Sequence, residues 1–346
     1  VALGAVAIPM LTASPTRHEG SGGGRSETTT LRAAAGRRRR GVGTALAAPT
    51  ASTDPHELAL VAREYSSVTP ENAMKWDTIH PARDRYDFAA ADAIVAFATS
   101  HHMTVRGHTL AWYRALPTWL TDGHFDREQL IGILRDHIHT VVGHFRGRVQ
   151  QWDVVNEPLD PSGAGLRDDF WSRGIGPDYI ALAFRFAHEA DPGATLYVNE
   201  FGTDTVNRKS NALLREVTAL RKQGVPVDGV GFQMHRNLDH AESHTAITTN
   251  LTRFSDAGLR VWITELDVAL RTPVEAGALD RQAEVYRGAV QACLTVDRCD
   301  GITTWGFTDR HSWIPAAQAG RGAALPFDER LRPKPAFRAM VGAFSA

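Results

Sequence analysis

Eight short apolar runs recur between residues 41 and 307, and longer stretches of helical period separate each from the next. They are GVGTA (41–45), SSVTP (66–70), MTVRGHT (103–109), QWDVVNE (151–157), TLYVNE (195–200), DGVGFQ (228–233), VWITEL (261–266) and GITTWGF (301–307). The intervening stretches carry apolar residues three and four apart, as a helix packed on one face requires. Leu130, Leu134, Ile138, Val141 and Phe145 form one such face, and Asp126 with Gln129 reads as a capping box at its start. Leu182, Ala183 and Phe186 form another, closed by Asp191-Pro192-Gly193; Leu213, Val217 and Leu220 form a third, closed by Gly224. Residues 278–294 repeat the pattern.

Eight strands, each followed by a helix, make an α/β chain that closes as a (β/α)8 TIM barrel. An open doubly wound sheet shows the same alternation, but the Gly-rich phosphate turn that would support it is missing after the first run. The expected domain is one barrel over residues 29–346. Before it, VALGAVAIPMLTASPT resembles the apolar core and tail of a secretory signal whose start is missing, followed by a Gly/Ser/Thr-rich leader to residue 28. This predicts secretion. GRRRRGVGTALAAPTAS reads as the basic end of a helix, where cations complement the dipole, followed by a strand.

Composition matters here for what it excludes. A formal net charge of −1 supplies no field that favours nucleic acid, and no run of apolar residues is long enough to span a bilayer. Neither partner is expected, and a monomer is. The two cysteines, Cys293 and Cys299, are close enough in sequence for a turn to bridge them; two free thiols are an equal reading of the sequence alone. His137 and His139 are two apart on a helix and point different ways, so they form no metal pair, and His101 and His102 read as surface residues. No cofactor is implied.

A TIM barrel places its functional residues at the C-terminal ends of its strands. Those ends are unusually polar here: Glu71, Asn72 and Lys75; His108 and Trp112; Asn156 and Glu157; Asn199 and Glu200; Gln233 and His235; Glu265 and Asp267; Trp305, Asp309 and Trp313. Each has an ordinary reading alone. A lone glutamate after a strand is usually a helix-start charge, a lone tryptophan is usually core, and Asp267 alone reads as a helix cap. Convergence on one rim changes the reading. Amides, Lys and His hydrogen-bond sugar hydroxyls, indoles stack on sugar rings, and two opposed carboxylates hydrolyse glycosidic bonds. One carboxyl must be protonated and the other ionised, so their environments must push their pKa values apart. A chain Asp267–His235–Glu265 is expected to keep Glu265 charged, and Asn156 is placed to bind a sugar 2-hydroxyl. Carboxyl groups about 5–5.5 Å apart go with retention of configuration, and about 6.5–9.5 Å with inversion.

VTPENAMKWDTIHPARDRYDF, VRGHTLAWYRALPTWL, WDVVNEPLD, GFQMH, ITELDV and TTWGFTDRHSWIP together resemble glycoside hydrolase family 10, the xylanase family, from about Leu31 to Phe344. The resemblance implies a retaining endo-1,4-β-xylanase acting on a polysaccharide. By motif, Glu157 resembles the acid/base and Glu265 the nucleophile, with Asn156, His235 and Asp267 in support. Glu71, Asn72, Lys75, His108, Trp112, Gln233, Trp305 and Trp313 resemble its sugar ligands. A disulfide between Cys293 and Cys299 is implied too.

Two segments depart from the family pattern. Trp112-Tyr113-Arg114-Ala115-Leu116-Pro117 stands where the family has Trp-His-x-Gln-Leu-Pro, and Asn199-Glu200-Phe201-Gly202 where it often has Asn-Asp-Tyr-Asn. Both are expected to remove hydrogen-bonding capacity from the cleft without touching Glu157 or Glu265. The competing readings are the same chemistry on another β-glycan or plant glycoconjugate, a non-catalytic sugar-binding barrel, and a metal-dependent barrel hydrolase. The second should have lost a catalytic glutamate. The third wants His-x-His at the end of the first strand, which GVGTA lacks.

Overall fold

The computed structural model describes residues 29–48, 53–240 and 242–346. The segment read as a leader, residues 1–28, lies outside them. Eight strands form the barrel: β1 (Gly41–Leu46), β2 (Ser67–Pro70), β3 (Thr104–Ala111), β4 (Gln151–Asn156), β5 (Thr195–Glu200), β6 (Gly229–Phe232), β7 (Arg260–Arg271) and β8 (Cys299–Thr304). Each pairs in parallel with its successor, and β8 returns to β1 through Gly301↔Gly41, so the sheet closes. Parallel strands covered by helices are buried on both faces, which is why the runs are apolar almost throughout.

Glycine sits opposite tryptophan in the ladder. Gly107 pairs with Trp152, and a Cβ at Gly107 would lie 2.2 Å from the indole. Gly301 pairs with Trp262, whose ring also lies over Gly41. The missing side chains are the space that the indoles fill.

The expected helices form, and their caps follow from sequence. Leu31–Arg37, capped by Thr30, ends in the basic run and leads into β1. Arg127–His144 opens on the complete Asp126–Gln129 capping box and buries Leu130, Leu134, Ile138 and Val141, with Phe145 buried at its end. Arg208–Lys222 buries Leu213, Val217 and Leu220, and Gly224 follows with φ +71°. Tyr179–Ala190 differs in detail: Ile180, Ala183, Phe184 and Ala187 make the deepest stripe, and Leu182 sits at its margin. The helix is apolar over a wide arc, so its spacing alone does not single out the face that packs.

Strand β7 overruns its expected end by five residues, from Leu266 to Arg271. Beyond the barrel it pairs in parallel with His235–Asn237, in the register His235↔Asp267, and antiparallel with Arg321–Gly322. Cys293 and Cys299 are joined by a disulfide, with S–S 2.04 Å, tying the end of helix Ala278–Thr295 to the first residue of β8. His137 is buried and stacks on Trp76 at 3.5 Å, whereas His139 is half-buried and His101 and His102 are exposed. No described helix is long and apolar enough to cross a membrane.

Candidate active site

Period-two alternation on β7 turns Glu265 and Asp267 to the same side. The His235↔Asp267 register then sets one imidazole between them: His235 Nε2 lies 3.0 Å from Glu265 Oε2 and Nδ1 lies 2.8 Å from Asp267 Oδ2. Carboxylates are acceptors, so both ring nitrogens donate and the ring is an imidazolium. Burial pushes His235 down, but the charge and hydrogen bond of Asp267, then Glu265, outweigh it and raise the imidazole well above its ordinary value. The same pair acts in reverse on Glu265. Burial pushes its carboxyl up, while the His235 hydrogen bond and the His108 and His235 charges hold it below the usual range. Trp313 Nε1 donates to Asp267 Oδ2 at 2.9 Å and steadies the far end.

Glu157 follows the last residue of β4 with φ +56°, in the left-handed region that few residues with a Cβ adopt. Its N–H donates to Asn199 O at 2.8 Å. Its Oε1 accepts from Gln233 Nε2 at 3.2 Å and, weakly, from Asn156 Nδ2 at 3.4 Å. Asn199 links the two glutamates: its Nδ2 donates to Glu265 Oε1 at 2.7 Å and to Asn156 Oδ1 at 2.8 Å, while Thr264 Oγ1 holds its Oδ1 at 2.7 Å.

Around this centre lies a cleft of about 810 Å³. Glu71, Asn72, Lys75, His108, Trp112, Asn156, Glu157, Gln233, His235, Glu265, Trp305 and Trp313 all line it. Asp267 stands behind His235, fully buried. Lys75 Nζ donates to Asn72 Oδ1 at 2.8 Å and lies 5.2 Å from the Trp112 ring. Burial raises Glu71 and lowers Lys75, each partly offset by the opposite charge of the other.

Two expected rim residues turn away. Glu200 follows Asn199, so alternation points it out of the cleft; it is 0% exposed and accepts from Lys209 Nζ at 2.8 Å and Leu159 N at 3.0 Å. Burial pushes its carboxyl up to about 7, with Lys209 pulling the other way. Asp309 instead accepts from Leu325 N at 2.8 Å and from Lys334 Nζ at 2.9 Å. The departing segments keep more polarity than expected. Tyr113 and Arg114 both line the cleft, with Arg114 Nε donating to Tyr113 Oη at 3.0 Å. Phe201 and Gly202 line it as well, and Lys209 Nζ sits 3.3 Å from the centre of the Phe201 ring.

Some contributors had no role in the sequence reading. Asn199 was legible only as a strand end. Beneath His108, Asp153 Oδ2 accepts at 3.0 Å, and Arg106 Nε donates to Asp153 Oδ1 at 3.0 Å. The signal was available: an arginine and an aspartate inside otherwise apolar strand runs need each other. Among the described residues, no three His, Cys, Asp or Glu side chains converge as a metal site requires.

The arrangement is one carboxylate held ionised by an imidazolium and a second, amide-bound carboxyl across the same cleft, which suits acid-assisted displacement at an acetal. Known proteins with this frame are similar along most of the chain. Endo-1,4-beta-xylanase B of Thermotoga neapolitana is 46% identical over 280 residues, covering 80% of each chain. An endo-1,4-beta-xylanase of Agaricus bisporus is 39% identical over 304 residues, covering 88% of this chain and 90% of that protein. The solved structure of xylanase 10B from Thermotoga petrophila RKU-1, in complex with xylobiose, superposes with a TM-score of 0.90 at 41% identity, covering 93% of this chain and 98% of that one. The family model described as glycosyl hydrolase family 10 matches residues 30–343, which include every strand of the barrel and both glutamates, and the chain belongs to that family.

Proposed function

We propose that this chain is a secreted, monomeric endo-1,4-β-xylanase, one catalytic domain over residues 29–346, cleaving internal xylosidic bonds with retention of configuration. In the first step a Glu265 oxygen bonds to the anomeric carbon, the glycosidic C–O bond breaks, and Glu157 gives its proton to the departing oxygen. In the second, Glu157 takes a proton from water, and the water oxygen displaces Glu265 from the anomeric carbon. The observation that carries this reading is the single imidazolium shared by Glu265 and Asp267, which favours an ionised, fixed nucleophile.

Asn156 and Gln233 orient Glu157, and Asn156 binds the sugar 2-hydroxyl. Glu71, Asn72, Lys75, His108, Gln233 and the indoles of Trp112, Trp305 and Trp313 hold the sugars on the non-leaving side. The names of the relatives and the xylobiose complex support xylan as the substrate. The buried disulfide supports an oxidising, extracellular location.

The test is reducing-end release from plain xylan by the wild type and by Glu265→Ala, with other β-glycans in parallel. Release from xylan by the wild type alone is expected. Release from another β-glycan and none from xylan would overturn the substrate assignment, and equal release by both proteins would overturn the nucleophile.

A further inference from the structure

Glu157 is held in its left-handed backbone conformation by two hydrogen bonds from opposite directions. One is its own N–H to Asn199 O, and the other is Arg167 Nε to its carbonyl oxygen at 3.0 Å. Arg167 closes the loop that Glu157 opens. Leu159 and Leu166 bridge across that loop, and Arg167 N donates to Pro158 O at 2.7 Å. The guanidinium therefore comes back underneath the residue ten positions earlier.

Its flat face is used as well. The guanidinium carbon lies 4.2 Å from the centre of the Tyr113 ring and 6.0 Å from that of Phe201, and both rings line the cleft. Arg167 itself does not line the cleft, and its Nη2 is buried without a hydrogen-bond partner among the described residues. A planar group that donates in its plane from Nε while stacking through its face is something arginine does and lysine does not.

We propose that Arg167 is the positioning residue of the acid/base: it clamps the Glu157 carbonyl in the left-handed conformation, and so aims the carboxyl at the leaving oxygen. The inference rests on the reading of Glu157 as the acid/base. Without the Nε bond, Glu157 relaxes toward the ordinary backbone regions and its carboxyl swings away from the leaving oxygen. The nucleophile, on β7, is unaffected.

The test compares kcat/KM on xylohexaose with kcat/KM on a dinitrophenyl β-xylobioside, whose leaving group needs no protonation, for wild type, Arg167→Met, Arg167→Lys and Glu157→Ala. The ratio of the two values is independent of the fraction of folded enzyme, so a poorly folding variant still reports. Arg167→Met is expected to lose about 10- to 100-fold on xylohexaose and less than about 3-fold on the dinitrophenyl substrate. Arg167→Lys is expected to show the same split, because charge alone does not replace the in-plane donor. Equal loss on both substrates would mean a merely structural role, and no loss on either would remove any role; each overturns the proposal. Glu157→Ala separates the two readings: if it shows no split, the acid/base assignment fails; if it shows one and Arg167→Met does not, the clamp alone fails.

Discussion

Glu265 and Asp267 share one imidazole: His235 spans them with bonds of 3.0 and 2.8 Å, and each end of the bridge depends on the other. Removing the ring leaves two buried carboxylates on one strand without the cation between them. As the proposed nucleophile Glu265 must be ionised to attack, and His235 holds its carboxyl below the ordinary range against the upward push of burial. The acid limb of kcat/KM in the wild type is therefore expected below the ordinary range of a glutamate carboxyl. In His235→Gln it should move upward. An unmoved acid limb would show that the imidazolium does not set the nucleophile's charge.

The two glutamates are expected to fail differently. Glu265→Ala should remove turnover on every substrate, whereas Glu157→Ala should lose about 10²- to 10⁴-fold in kcat/KM only where the leaving oxygen needs a proton, with kcat on activated substrates limited by the second step. Proton NMR of the first product formed should show the β-anomer. An initial α-anomer would contradict double displacement at Glu265.

His137 predicts an acid-side loss of stability. His80 Nε2 faces Arg83 O at 3.1 Å and must donate there, so His80 Nδ1 accepts from His137 Nδ1 at 3.2 Å. His137 Nε2 is then buried with no partner among the described residues, and burial holds the imidazole well below its usual value. The unfolded chain takes up a proton near pH 6.5 that the folded chain refuses, so this site makes stability fall as pH drops through about 6.5. His137→Gln keeps a donor for His80 and does not titrate. Melting temperatures from pH 4 to 8 should fall less steeply on the acid side for the variant, and parallel curves would rule out His137 as the source.

The Cys293–Cys299 bond closes a short loop with a sequence separation of 6. Loop-closure entropy for a ring of that size gives about 2 kcal/mol. The double variant Cys293→Ala/Cys299→Ala should lose about that much in denaturant unfolding, with activity on xylan unchanged in the folded enzyme.

Gly107→Ala would drive a Cβ to 2.2 Å from the Trp152 ring in the middle of the barrel wall. Overpacking of this kind costs about 1–3 kcal/mol. A shift of the unfolding midpoint is expected, and an unchanged midpoint would mean that the indole moves freely.

Much of this architecture follows from local pattern. Alternating apolar runs and helical spacing are short-range properties, so the eight strands, the Asp126–Gln129 capping box and the packed face of Arg127–His144 could be read directly from the residues. The polar strand ends marked the rim for the same reason, since a carboxylate at the end of a buried strand must leave the core. What local pattern misjudged were Glu200 and Asp309. For Glu200, one residue of offset on a strand sends the side chain to the opposite face; Asp309 lies in a 3-10 turn beyond β8, and neither partner, Lys209 or Lys334, is marked by spacing.

The bonds that make the rim a chemical site lie between segments far apart in the chain. Asn199 reaches Glu265 across 66 positions, His235 reaches Asp267 across 32, and Arg106 reaches Asp153 across 47. Those distances depend on barrel closure and on the overrun of β7 that sets His235 opposite Asp267. Residue type and local period carry the elements and their inward faces. Register across the closed sheet, and the left-handed turn at Glu157 with its N–H on Asn199 O, arise only when the ring of strands is packed, because no short stretch of chain can satisfy those groups on its own.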